Sequence, residues 1–393
     1  MTSYVLAWLN RDFETLASAR NLSPDYFFPS RLHDQIVLEW AIDQEEADPV
    51  AAYGLGNFFY DRKRHNEAIA RWEDACSANP DFATAYRNLG VAYWNIRRDG
   101  EAARAVYQRA IECDPADPRI LFEYDQLRKK LKDPIEQRLS LLEANPELVF
   151  QRDDCTVELA ALYNETGQPE RALNTIVNRR FHPWEGGEGQ VLRQYTNAHL
   201  LLGQMALDRG DPKSALEHFE LAVNTPQNLG EAYHMLQAKA DVNYWIGMAL
   251  RALGREEQAL HYFEESANEC GDFQAMSVTR HSKLSYFRGL SLLELDRKKE
   301  ATMLFEDLQA YAEGLLVEHA KIDYFATSLP LLLVFEDDLD LLQHEEASRL
   351  IALAEQGLQR VSCFHAGSKQ QDSPFSERAG IPLRQPEEVD CQS

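Results

Sequence analysis

The sequence predicts an all-α solenoid of stacked helical hairpins, and three observations carry that expectation. Hydrophobic residues make up 45% of 393 positions, enough for a continuous buried core. The 19 Gly and 16 Pro fall below the usual combined share of about 12%, so helices meet few breakers. A pattern of small residues and rings also recurs along the chain at a repeat-like period.

Taken in order, residues 1–48 read as an atypical helical cap, with helices expected around 3–20 and 31–46. A first repeat starts near 49 and carries Leu55-Gly56, Phe59, Ala68, Trp72, Ala75 and Pro80. A second, near 83, carries Leu89-Gly90, Tyr93, Ala103, Tyr107, Ala110 and Pro115. Gly56 and Gly90 lie 34 residues apart, but Gly90 to Ala103 takes 13 steps where Gly56 to Ala68 takes 12. The second unit therefore holds one extra residue in its turn.

Residues 117–150 read as a degenerate repeat, and the unit near 153 is held by Leu159, Tyr163, Gly167 and Ala172. Units near 196, 240 and 282 restore the 12-residue step: Gly203 to Ala215, Gly247 to Ala259, Gly289 to Ala301. Four residues after each Ala comes a ring, Phe219, Phe263 or Phe305, as Trp72 and Tyr107 follow Ala68 and Ala103. The later glycines are 44 and 42 residues apart, so the extra residues near 226–240 and 270–281 should lengthen a helix or its connection. The array is expected to run over 49–345 and a terminal helix over 346–360; 361–393 loses periodicity and reads as disordered.

Antiparallel helices that cross closely need a small residue at the contact, and a large ring fills the groove beside it. No single pair buries its apolar face alone, so neighbouring pairs must stack. The spacing resembles the tetratricopeptide repeat (TPR), a 34-residue helix–turn–helix unit, over roughly residues 1–345. The resemblance implies a right-handed superhelix whose concave groove holds a protein or peptide partner. It places Tyr53, Asn57, Tyr60, Arg87, Asn88 and Trp94 in that groove, with Tyr53, Arg87 and Trp94 as anchors. Asn57 and Asn88 are similar to asparagines with which chaperone-binding members clamp a carboxylate. Tyr53, however, stands where that clamp needs lysine.

Residues 179–190, RRFHPWEGGEGQ, break the pattern. Gly186, Gly187 and Gly189 allow unusual backbone angles, and Pro183 stops a helix. One reading is a binding loop, with Trp184 as a stacking platform and His182, Glu185 and Glu188 as polar partners. The other is a rigid connector plugged by Trp184. Two glutamates and one histidine are too few for a metal site. The strings FHPWEGGEG and KIDYFATSLPLLLVFEDDL (321–339) resemble segments of large bacterial TPR proteins that carry an N-terminal β-rich domain of unknown function. That resemblance implies that the chain matches only their helical part. It also implies an alternative role as an accessory module of bacterial carbohydrate metabolism, acting through His182–Gly189.

Composition narrows the function classes. Forty basic against 64 acidic residues give a net charge of −24, which excludes a general nucleic-acid binder. Acidic runs such as Asp43–Asp48 and Glu336–Asp338 read as solvated ends, or as a groove for a basic peptide. The N-terminal apolar run stops at Asn10-Arg11-Asp12, so neither a signal peptide nor a membrane span is expected. Six cysteines without a CxxC pair suit a reducing, cytoplasmic setting. No GxSxG, HExxH, P-loop or GxGxxG occurs, so no catalysis, cofactor or metal is expected. Trp8, Phe13, Phe27 and Phe28 suggest a homodimer through the N-terminal end.

Overall fold

The structure, a computed structural model, describes residues 1–44, 47–182, 184, 186–234, 236–274, 277–321 and 333–365. The chain divides into two units: Met1–Arg152 with Val334–Glu336, and the remainder from Asp153 onward. Unit 1 holds α1 Thr2–Asn10, α2 Phe13–Arg20, α3 Leu32–Ile42, α4 Pro49–Asp61, α5 His65–Ala78, α6 Ala83–Ala92, α7 Gly100–Cys113, α8 Pro118–Lys130, α9 Ile135–Glu143 and α10 Pro146–Val149. Unit 2 holds α11 Asp153–Glu165, α12 Pro169–Val177, α13 Gln190–Asp208, α14 Pro212–Val223, α15 Ala240–Ala252 and α16 Glu256–Asn268. It continues with α17 Lys283–Glu294, α18 Lys298–Val317 and α19 Leu339–His365.

Helix starts follow from local chemistry. Asp48-Pro49, Asp117-Pro118 and Asp211-Pro212 each put an aspartate at the N-cap and a proline at the first helical position. The Asp48 carboxylate accepts from the Ala51 amide at 2.8 Å, and Asp211 from Ser214 at 3.1 Å. Each such cap contributes about 1 kcal/mol.

The glycine–ring pattern is the packing rule of both units. A Cβ on Gly90 would meet the Tyr107 ring at 2.4 Å, and one on Gly203 would meet Phe219 at 2.2 Å. Gly56 and Trp72, Gly247 and Phe263, and Gly289 and Phe305 repeat the arrangement. The ring therefore lies on the glycine itself, and its own helix is drawn against the preceding one. Ala68, Ala103, Ala215, Ala259 and Ala301 are fully buried beside these rings.

Two expected helix bounds need correction, and one open choice is decided. The first helix breaks in two, because Arg11 takes a left-handed conformation (φ 53°) and Asp12 then caps α2. The extra residues of the later repeats take the second of the two expected places, the connections, and lengthen no helix. They form the connection between α14 and α15, with a short 3₁₀ turn, and the one between α16 and α17. That second connection holds a short antiparallel pair, β1 Asp272–Gln274 and β2 Ser277–Thr279, within the all-α solenoid. Finally, α19 runs from Leu339 to His365, beginning before and ending beyond 346–360. Residues 366–393 of the expected tail lie outside the described residues.

Candidate functional site

Tyr53, Asn57 and Tyr60 project from α4 at helical spacing, and Arg87 and Asn88 from the neighbouring α6. The structure brings most of them together, but largely as partners of one another. Tyr53 is 4% exposed and packs on Phe82, with ring centroids 5.0 Å apart, so it is a core residue. The Asn57 carbonyl accepts from Trp72 Nε1 at 3.2 Å and from Asn88 Nδ2 at 3.0 Å, and its amide donates to the Phe27 carbonyl at 3.1 Å. That amide makes three of its four possible hydrogen bonds inside the fold.

Arg87 is likewise committed. Its Nε and Nη2 both donate to Glu123 at 2.6 Å, and Tyr107 donates to the same carboxylate at 3.0 Å. Burial pulls the guanidinium down, but the adjacent Glu123 outweighs it and keeps Arg87 charged. This fork ties α6 to α8 rather than presenting a free cation.

Trp94 lies elsewhere, in a five-residue π-helical turn, Tyr93–Arg97, that ends α6. The turn absorbs the one extra residue between Gly90 and Ala103. Trp94 Nε1 donates to the Glu336 carbonyl at 3.0 Å. Asn95, a residue the sequence did not single out, donates from Nδ2 to the Val334 carbonyl at 3.0 Å and accepts at Oδ1 from the Glu336 amide at 2.9 Å. Its side-chain amide thus makes the pair of bonds that an adjacent β-strand would make around Phe335. Arg98, left-handed at φ 52°, pairs with the Glu336 carboxylate at 2.8 Å.

The Phe335 ring is 3% exposed and lies 6.2 Å from Trp94, edge-on, and 5.8 Å from Tyr107. Tyr60 borders the same spot: burial raises its hydroxyl pKa and a hydrogen bond with Asn95 opposes this. The arrangement can hold an extended main chain by side-chain amide and indole, with a pocket for one ring. The 13-step spacing marked the turn. Nothing local marked Val334–Glu336 as its occupant.

The loop 179–190 belongs to unit 2 and is tied down by residues of that unit. The Trp184 ring, half-buried, lies on Gly187, where a Cβ would come within 1.9 Å. The Glu188 carboxylate accepts from the Gly186 amide at 2.9 Å. Glu231 accepts from Gly189 at 2.7 Å and Leu192 at 2.8 Å, filling the start of α13. His182 is exposed, and its amide donates to Asp153, which also pairs with Arg179. Phe181 is buried and its amide donates to the Asn228 carbonyl at 2.8 Å. Glu185 and Pro183 lie outside the described residues. The described residues of the loop are thus held by Asp153, Asn228 and Glu231 of the same unit.

At the N-terminal end, Phe13 and Phe28 are exposed, whereas the Phe27 ring packs on Gly54 and Trp8 is half-buried. Among the described residues no group of three His, Cys, Asp or Glu is placed to hold a metal ion. None of the described helices is long and apolar enough to cross a membrane.

Comparison with known proteins follows the same lines. Models described as TPR repeat and tetratricopeptide repeat match residues 41–96 and 240–269, one stretch in each unit. The chain thus carries tetratricopeptide repeats. It is 23% identical over 288 residues to tetratricopeptide repeat protein 37 of Xenopus laevis, a match covering 70% of this chain and 16% of that protein. Among solved structures, YrrB, a TPR protein with an unusual peptide-binding site, aligns at 17% identity and TM-score 0.36, over 48% of this chain and 91% of that one. A tetratricopeptide repeat protein from Parabacteroides merdae aligns at 15% identity and TM-score 0.39, over 78% and 98%.

Proposed function

We propose that the chain is a non-enzymatic protein-interaction scaffold, and that unit 1 takes an extended segment of a partner protein across Tyr60, Trp94 and Asn95. The repeats support an interaction scaffold in general. The groove reading rests on one observation: Asn95 offers an acceptor and a donor to successive main-chain groups, spaced as a β-strand would space them. Recognition through main-chain groups gives affinity that depends little on sequence, and a ring pocket adds selectivity. Asn57, Asn88 and Arg87 serve this strip by fixing α4, α6 and α8, not by touching the partner.

The test uses the full chain as bait in lysate of its source organism, beside a Trp94→Ala/Asn95→Ala variant matched for helix content and melting temperature. Partners would be identified by mass spectrometry and their binding measured with purified protein. A partner held by the parent and lost by the variant is the expected result. A partner held equally by both refutes the groove reading.

A further inference from the structure

Val334–Glu336 is held in unit 1 by an unusual set of contacts. Its main chain is bonded to side chains of the π turn, not to its own secondary structure. One ring, Phe335, is buried, while Val334 is 38% exposed and Glu336 makes a surface ion pair with Arg98. Of the three groups that hold its main chain and its carboxylate, Trp94 and Asn95 lie in the π turn and Arg98 caps its end. π turns are rare and concentrate at functional sites. A single ring, three hydrogen bonds and one solvated ion pair make a contact of the size that exchanges with competitors.

We propose that Val334-Phe335-Glu336 is an internal ligand occupying the peptide site of unit 1, and that the external partner presents an aromatic residue followed by a carboxylate. The inference rests on the groove reading above and adds the partner's chemistry and the route of entry. The ring enters between Trp94 and Tyr107, Asn95 reads the main chain on either side of it, and Arg98 selects an acid at the next position. Being part of the same chain, the internal segment competes at an effective concentration on the order of millimolar. A partner must displace it, so affinity for any short peptide is reduced in the parent chain.

The probe is a capped, fluorescent peptide with the sequence of residues 333–338, Leu-Val-Phe-Glu-Asp-Asp, titrated by polarisation against the full-length protein. Phe335→Ala/Glu336→Ala opens the site but removes a buried ring; Glu336→Arg keeps the ring and places two like charges together. The peptide is expected to bind both opened variants at least tenfold more tightly than the parent. Adding Asn95→Ala, or replacing the peptide's phenylalanine by alanine, should abolish that gain. Equal affinity for parent and opened variants, or no binding to a folded Glu336→Arg chain, would overturn the proposal. So would peptide binding that appears only as a parent dimer dissociates, which assigns the site to a second copy. A captured partner that needs Trp94 and Asn95 yet binds parent and Glu336→Arg equally would refute the internal ligand and leave the groove reading standing.

Discussion

Unit 1 and unit 2 are built from the same hairpins but treat buried charge differently. In unit 1 three carboxylates meet guanidinium forks: Glu123 on Arg87, Asp125 on Arg138 at 2.7 and 3.1 Å, and Asp133 on Arg104 and Arg128; Asp48 is the exception, its pKa raised by burial. Hydrogen bonds from Arg104 and Arg128 hold Asp133 down to about 2, against the pull of burial. In unit 2 several ionisable groups are buried with weaker compensation. Burial and the neighbouring His218 push His199 down to about 4, with the two Nδ1 atoms 3.1 Å apart. Burial pushes Glu269 up to about 7 although the Lys239 amide donates to it at 2.8 Å, and it raises Asp241 as well. The lesson is that repeat packing fixes the scaffold, while the polar groups set which part answers to pH. The peptide site borders one of the locked pairs, because Tyr107 touches both Phe335 and Glu123.

The largest expected effect breaks a lock. Arg87→Met leaves Glu123 buried with Tyr107 as its remaining hydrogen-bond partner named above, and loss of one member of a buried pair costs about 3–5 kcal/mol. Denaturant unfolding should show that loss in unit 1. A loss below about 1 kcal/mol would mean that the fork is dispensable and the contrast between the units is superficial.

Next comes what the units share. Gly90→Ala in unit 1 and Gly203→Ala in unit 2 each drive a methyl into a ring face, at an expected cost of about 1–3 kcal/mol. Similar losses in both would show one packing rule running through the chain. A cost in only one would confine the rule to that unit.

The smallest effect concerns pH. Glu269 has a folded pKa raised above the unfolded carboxylate value, so its contribution is most favourable below about 4.5 and is lost as pH rises through 7. His199 has the opposite sign: its contribution is present above about 6.5 and is lost as pH falls toward 4. The two offset one another between about 4.5 and 6.5. Glu269→Gln should therefore stabilise unit 2 at pH 8 by about 1 kcal/mol, after discounting for solvent screening. With Glu269 gone, His199 acts without that offset, so the variant's melting temperature should rise between pH 5 and 6.5 where the parent's changes little. Unchanged pH dependence would remove Glu269 from the account.

Much of this architecture was legible in the sequence because glycine–ring contacts are local, sixteen or seventeen residues apart, and recur with the repeat. The helical cap was half legible: its helices were foreseen, but the break at Arg11 depends on a single left-handed residue. The longer connection near 270–281 was legible, but the short β pairing within it was not. The candidate site was legible at Trp94 and in the extra step after Gly90. Asn95 lacked any signal of its own, and its partners lie some 240 residues further on. Arg87 looked like an anchor because Glu123, 36 residues away, was invisible as its partner.

The most direct measurement is hydrogen exchange at the Glu336 amide in the parent and in Asn95→Ala, read by mass spectrometry on the peptide spanning 333–338. If Asn95 grips an extended main chain, that amide is protected in the parent and exchanges at least tenfold faster in the variant, while the helices of unit 2 keep their protection. Equal exchange in the two proteins would contradict the clamp, and with it the peptide site built around it.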